Sequence, residues 1–384
     1  MRVQIVDPPA YTPPFDRSLC EAIARQGVEV DLVTSRFVHG TVPEARGYRV
    51  TERFYRRSAN MPAGSRRRRI VGGLEHLRDM AGYGLRSSRA DLVHFQWLTE
   101  PLLDSFLLPR GVPLVQTPHG LLRADALQGL RGRSTRRLLR RMDRLVALSE
   151  YGANVLELAA GVPGDRIRVI PHGVLDYLTR LDREDPLPAE LAADGDGPEG
   201  PVVLMFGLMR PYKAPQDLID AYVRAAPEAG ELWIVGKPMG VDLDAMRETA
   251  RKSARPVRFV PRFVADSEIP AIFRRADLVV LPYHDAEQSG VLYTALAFGN
   301  AILLTDVGGF GEVAATGAAR LVPPAKPAEL ADALGELLAD GETRDELGRR
   351  AREVAAGPYS WDEIGRQTVE LYRELVGGPD GNRR

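Results

Sequence analysis

The sequence predicts an α/β protein with parallel sheets in two domains, on three observations. Short apolar runs ending in Gly, Pro, His or Ser alternate with helical patterns along nearly the whole chain. Between Asp176 and Gly200 the composition changes to Asp, Glu, Pro, Gly and Ala, as in a linker. The 384 residues also exceed one ordinary domain, so two of about 150 to 200 residues are expected. The pattern divides the chain into a first domain over 1–177, a linker over 178–200, a second domain over 201–358 and a closing segment over 359–384.

The first strand is Arg2 to Val6, followed by a loop with four prolines (Asp7 to Pro14) and a helix from Phe15 to Gln26. Tyr11 and Asp16 lie where a ligand crevice forms, at a strand end and in a helix's first turn. The glycines of a dinucleotide fingerprint are absent, so no NAD site is read. Val28 to Thr34 completes a βαβ unit. The pattern loosens from Arg46 to Arg89, except for a helix opening at Arg66 to Arg69, with Ile70, Leu74, Leu77 and Met80 as its apolar stripe. Strands follow at Asp91 to Trp97, Val112 to Gly120, Arg144 to Leu148 and Arg166 to Val174, closed in turn by His119 and His172. The helix near Ser134 to Asp143 carries Arg137, Arg140 and Arg141 on neighbouring turns, an arrangement that self-repels unless anions answer it.

In the second domain Pro201 to Gly207 is a strand, and Arg210 and Lys213 follow it as two cations at its carboxyl end. Glu231 to Pro238 and Val257 to Val264 are the next strands. Then ADLVVLPYHDAEQSGVLYTALAFGNAILLTDVGGFGE (Ala276 to Glu312) reads as strand, polar loop, helix from Ser289, and strand. The loop carries Asp285, Glu287 and Gln288 beside a helix start whose free N–H groups, at Gly290 and Val291, form an anion site. An acid beside such a site outlines a sugar-nucleotide pocket; two ordinary helix-start acids are the alternative. Asp194 with Asp196, and Asp242 with Asp244, have the spacing of metal-binding pairs but lie in a linker and at a helix start, so no metal is assigned. The closing helix opens at Ser360 and buries Trp361, Ile364, Val369, Leu371 and Tyr372.

Composition narrows the classes. No apolar run reaches the ~18 residues of a spanning helix, and the N-terminus enters a strand directly, so a cytoplasmic protein is expected. Cys20 is the lone cysteine, which excludes disulfides within the chain. The net charge of −1 conceals an asymmetry: residues 1–180 hold 28 Arg, no Lys and 18 acids, a balance of +10, against −11 for the rest. Such a cationic body suits an anionic membrane surface or a phosphate-bearing acceptor; a solvated basic surface, and nucleic acid, are the competing readings.

The motifs TPHG (Thr117 to Gly120), ALSEYG (Ala147 to Gly152), VIPHGV (Val169 to Val174), FGLMRPYK (Phe206 to Lys213), IVGKP (Ile234 to Pro238) and Gln288 to Gly309 occur in an order that resembles the GT-B glycosyltransferases of family 4 across nearly the whole chain. The resemblance implies two Rossmann-like domains facing a cleft, acceptor on the first and nucleotide diphosphate sugar on the second. It implies retention of anomeric configuration, no metal and no cofactor, with a UDP-, GDP-, ADP- or TDP-sugar as donor and a glycan or lipid-linked saccharide as acceptor. By motif position Arg210 and Lys213 look like the diphosphate clamp, with Ser289, Gly290, Val291 and Leu292 as its backbone cradle. Glu287, Asp285, Gln288 and His119 would face the sugar, Arg262, Phe263 and Val264 the base, and Tyr11, Asp16 and His172 the acceptor. His119, Glu287, Arg210 and Lys213 are then the catalytic set. The family's second glutamate falls at Ala295, so ribose must be held otherwise. Arg210 would also replace the commoner clamp arginine, whose place is taken by Leu208.

The expected activity is therefore transfer of a sugar to an acceptor hydroxyl by a cytoplasmic enzyme, peripheral on the inner membrane face, with no nucleic-acid partner. A GT-B epimerase or phosphorylase shares the fold, and a degenerate sugar-nucleotide-binding domain is a third reading, suggested by Ala295.

Overall fold

The computed structural model describes residues 1–377 apart from 39, 41, 63, 86–89, 120–126 and 193–199. It contains two compact units, residues 1–173 with 359–384, and residues 174–358. The first holds β1 (Arg2–Asp7), α1 (Pro13–Arg25), β2 (Glu29–Ser35), β3 (Arg49–Phe54), α2 (Arg66–Gly84), β4 (Leu92–Phe95), α3 (Pro101–Leu107), β5 (Leu114–Gln116), α4 (Gly129–Arg140), β6 (Arg144–Ala147), α5 (Glu150–Leu158) and β7 (Ile167–Val169). Its seven-stranded sheet is parallel, in the order β3-β2-β1-β4-β5-β6-β7. The inner strands β1, β4 and β6 are buried on both faces, which is why they read as apolar runs.

The pattern gave no strand near residue 50, yet β3 lies at the sheet edge there. An edge strand buries little, and RVTERF alternates without an apolar run. It is held by Asp31 on β2, which accepts from Arg49 at 3.0 Å and from the Thr51 hydroxyl at 2.8 Å.

Helix α2 corrects a second expectation. Met80 is buried, but Ile70, Leu74 and Leu77 are exposed, by 56%, 67% and 44%. The face turned to the protein is largely polar: His76 Nε2 meets Asp104 at 2.7 Å, its Nδ1 meets the Tyr55 hydroxyl at 2.6 Å, and Glu75 and Asp79 accept backbone N–H groups of Ser58 and Tyr55. Three arginines of α4 and its flank have partners other than anions. Arg137 lies 4.1 Å over the Phe106 ring, while Arg136 and Arg141 donate to the carbonyls of Leu127 and Ser105.

The second unit holds β8 (Val202–Phe206), α6 (Pro215–Ala225), β9 (Glu231–Val235), α7 (Leu243–Ala250), β10 (Val257–Val260), α8 (Ile269–Arg275), β11 (Leu278–Leu281), α9 (Gly290–Phe298), β12 (Ala301–Thr305), α10 (Phe310–Ala314), β13 (Arg320–Val322), α11 (Pro327–Ala339) and α12 (Gly341–Ala356). Its parallel sheet runs β10-β9-β8-β11-β12-β13. The order reverses beside β8 and β11, so the loops after those two strands flank the crevice of an open α/β sheet. The described part of the segment read as a linker is fastened to this unit, Glu184 to Arg274, Glu190 to Arg262, and the Asp185 N–H to the Ser267 carbonyl. The last helix, α13 (Trp361–Gly377), belongs to the first unit: Trp361, Ile364, Val369, Leu371 and Tyr372 share one core with Leu19, Cys20 and Ile23 of α1.

Candidate functional site

In the second unit the chemistry gathers where β8 and β11 end. After β8 the chain turns through Gly207 at φ +100°, and Pro211–Lys213 forms a short 3-10 turn. A Cβ on Gly207 would lie 3.3 Å from Val291 Cγ2 and 3.4 Å from Lys213 Nζ. The glycine therefore lets the lysine and the first turn of α9 close on one point. Lys213 Nζ stands 5.0 Å over the Tyr283 ring. Burial, and next the charge of Arg210, push its ammonium below the ordinary lysine range, partly offset by Tyr212. Among the described residues neither Arg210 nor Lys213 has a carboxylate partner.

Helix α9 faces the same point with its N-terminus. Ser289 is its N-cap but makes no side-chain cap bond, and the N–H groups of Gly290 and Val291 have no partner among the described residues. Two adjacent unpaired cations and two orphan N–H groups at a helix start are complementary to a diphosphate. Leu292 is buried in the same turn, with its N–H on the Ser289 carbonyl.

The loop before α9 carries the acid. Glu287 is half-buried, its Oε2 is shut off from solvent without a partner among the described residues, and burial pushes its carboxyl up to about 7. The loop is supported from beneath: the Gly309 N–H donates to the Glu287 carbonyl at 3.1 Å. Gly308, at φ +53°, lies so close that a Cβ there would overlap the Ala286 carbonyl oxygen. Asp285 is exposed, and Gln288 accepts from the Tyr293 hydroxyl. Ala295 is fully buried within α9, so that position supplies no acid to a ribose.

The three residues expected near the base divide. Phe263 is 63% exposed, Val264 is buried, and the Arg262 guanidinium is taken up by Glu268 at 2.7 and 3.0 Å and by Glu190 at 3.3 Å. Asp242 caps α7 through the N–H groups of Asp244 and Ala245, which accounts for that aspartate pair; Asp194 and Asp196 lie outside the described residues.

In the first unit the strand ends bring His119 and His172 against Phe15 of α1, with Tyr11 on the neighbouring Trp97 and Asp16 next to Phe15 in the helix. Phe15 lies 5.0 Å from the His119 ring, 4.8 Å from His172 and 5.3 Å from Trp361. His119 stacks on Trp97 at 5.3 Å, and its Nε2 meets Gln96 Oε1 at 2.9 Å, which assigns the proton to Nε2. Burial holds it neutral, down to about 3, and His172 down to about 4. Neither is a cation at neutral pH. Tyr11 is 60% exposed and sits edge-on to Trp97, 5.1 Å away. Gly120 of the TPHG motif lies outside the described residues.

Asp16 faces Asp7, a residue the sequence reading passed over. Both are buried, and each keeps one oxygen, Oδ1, without a partner among the described residues. Burial raises both carboxyls, Asp7 to about 6, and the Asp7 charge raises Asp16 further. The position of Asp7, last in a strand and before the loop, was the signal for it. Tyr283 and Gly207, the other residues missed, stand at the ends of β11 and β8.

Comparison with known proteins bears on the fold and the family. Residues 17–175 match the model described as Glycosyltransferase Family 4, and residues 200–340 match Glycosyl transferases group 1. The D-inositol 3-phosphate glycosyltransferase of Nocardia farcinica is 34% identical over 73% of this chain and 66% of its own, so the matched stretch spans just under two thirds of that relative. That of Salinispora arenicola is 32% identical over 74% of this chain and 69% of its own. Among solved structures, Anabaena HepE in complex with UDP-glucose superposes with a TM-score of 0.70 at 20% identity, over 98% of this chain and 100% of that one. The two parallel-sheet units are Rossmann-like and match GT-B structures, and the chain belongs to glycosyltransferase family 4.

Proposed function

We propose that the protein is a retaining, metal-independent glycosyltransferase that moves a hexosyl group from a nucleotide diphosphate sugar to an acceptor hydroxyl. The observation that carries this is the convergence of Lys213, with Arg210 close enough for its charge to act on it, on the N–H groups of Gly290 and Val291, all without partners among the described residues. As the bond from the sugar to the diphosphate breaks, negative charge grows on the leaving oxygen. Preformed donors aimed there stabilise the transition state more than the ground state. Two side-chain cations at the leaving group supply the charge a divalent metal otherwise would. Glu287 hydrogen-bonds sugar hydroxyls and fixes the anomeric carbon, and the first unit, through His119, His172, Tyr11 and Asp16, holds the acceptor.

Screening UDP-, GDP-, ADP- and TDP-sugars by thermal shift and slow hydrolysis tests the reading. One nucleotide is expected to raise the melting temperature and to be turned over. Stabilisation by none of them would sink the proposal, and stabilisation without turnover would favour a degenerate sugar-nucleotide-binding domain. Turnover to an epimer without any acceptor would replace transfer with epimerisation.

A peripheral membrane location is favoured by one observation, the outward face of α2. Ile70, Leu74 and Leu77 lie exposed along it beside Arg66, Arg67 and Arg78, and no helix among the described residues is long and apolar enough to cross a membrane. Binding to vesicles containing phosphatidylglycerol is expected to fall steeply between 50 and 300 mM salt, with the Debye length shrinking from about 14 to about 6 Å. Binding indifferent to lipid charge would remove the membrane from the account.

A further inference from the structure

The short turn that carries Lys213 stops at an unusual residue. Ala214 has φ +50°, in the left-handed region that an L residue other than glycine enters at a cost. It is buried, it ends the 3-10 turn and it caps α6, so the strain sits directly after the lysine. The turn is anchored from behind: the Met209 N–H donates to the Lys237 carbonyl at 3.0 Å, and the Met209 carbonyl accepts from the Met239 N–H at 2.8 Å. Within it, the Lys213 N–H reaches the Arg210 carbonyl and that of Ala214 the Pro211 carbonyl, each at 3.0 Å.

In front, one residue of the loop after β11 spans the turn. The His284 N–H donates to the Tyr212 carbonyl at 2.7 Å, and its Nε2 meets Asp217 Oδ2, in the first turn of α6, at 2.8 Å. A carboxylate only accepts, so Nε2 carries the proton. His284 therefore bridges the middle of the turn to the helix that follows it, with Ala214 between the two points of attachment. The Tyr212 ring stands edge-on to Tyr283, 6.0 Å away, and Tyr283 is the ring under Lys213. Cation, aromatic support and bridge are one assembly. Magnitudes separate packing from positioning here. The His284 and Asp217 side chains are 41% and 28% exposed, and exposed pairs add little to global stability. Held across a strained turn, the same pair acts on local geometry.

We propose that His284, through Asp217, is a positioning residue for the donor diphosphate: it holds the 211–214 turn in the strained form that aims Lys213 Nζ at the start of α9. This role rests on the reading of Lys213 as part of the diphosphate clamp. His284 itself need not touch substrate. Without the bridge, Ala214 relaxes towards an ordinary backbone conformation, the binding-competent turn becomes a fraction of the population, and the apparent affinity falls by that fraction. Glycine at position 214 takes a positive φ without strain, so it makes the bridge dispensable.

Calorimetric titration of the full chain with UDP, GDP, ADP and TDP, beside a thermal melt of each sample, tests the bridge. For the nucleotide that the wild type binds, His284→Ala is expected to weaken binding by about three- to tenfold with the melt unchanged. His284→Gln, which keeps an N–H donor for Asp217, should retain most of the affinity. Asp217→Ala breaks the same bridge from α6, should match His284→Ala, and serves if that variant misfolds. Ala214→Gly combined with His284→Ala should recover the loss. Unchanged affinity in both His284→Ala and Asp217→Ala would overturn the proposal, as would a loss that Ala214→Gly leaves in place. A melting temperature that falls in step with the affinity would overturn it too, by making the pair structural. No binding of any of the four nucleotides by the wild type would bring down the clamp reading, and the bridge's role with it.

Discussion

Lys213→Ala is expected to lower kcat/KM for sugar transfer by about 10²- to 10³-fold, the usual loss when one preorganised donor to developing charge is removed. Folding should barely change. The ammonium is half-buried, has no carboxylate partner among the described residues and is pushed below its ordinary range by burial and by Arg210, so it contributes nothing that an alanine would leave unpaired. A diphosphate reverses that balance, because an anion beside Lys213 favours the charged amine. Steady-state kinetics with a thermal melt of the same sample decide the matter. Normal turnover with an intact melt would remove Lys213 from the leaving-group site, and lost turnover through unfolding would make it structural. Arg210→Ala should act in the same direction but less, because Arg210 lacks the Tyr283 ring that fixes Lys213.

Glu287→Gln is expected to reduce transfer by about 10- to 100-fold and yet to stabilise the protein at alkaline pH. The carboxyl is raised from its ordinary 4.5 to about 7, so the folded chain keeps a proton that the unfolded chain releases. Its contribution is favourable below pH 4.5, declines as the pH rises towards 7, and is a full penalty above that. Glutamine removes the penalty, on the order of 2 kcal/mol at pH 8 after allowing for partial exposure. Melting temperatures at pH 5 and pH 8 provide the check. The variant should gain on the wild type as the pH rises, and a gain independent of pH would mean that Glu287 is not the group being desolvated. Asp7 and Asp16 are raised by the same cause and add the same slope to both proteins, so they cancel in the comparison. A functional acid that costs stability is expected where an unpaired oxygen awaits a ligand.

How much of this was legible beforehand follows from burial. Strands β1, β4, β8, β11 and β12 are covered on both faces and announce themselves as apolar runs ending in turn residues, so the order of the parallel units could be read along the chain. The positions of Lys213, Glu287 and His119 followed because they close such runs. β3 was illegible because an edge strand needs no apolar run, and the face of α2 was misread because polar partners such as Asp104 and Tyr55 arrive from distant parts of the chain.

The sequence by itself therefore determined the architecture, the strand ends where the candidate site residues stand, and the family. Both periodicity and motif order are local, and local patterns survive without knowledge of what packs against them. Tertiary structure alone decided which charges are free. Arg262 is paired with Glu190 and Glu268, and Arg136, Arg137 and Arg141 are engaged by carbonyls and a ring, while Lys213, Arg36 and Arg69 stand without a carboxylate partner among the described residues. Only distances between residues far apart in sequence separate a charge that has already been answered from one that waits for a ligand.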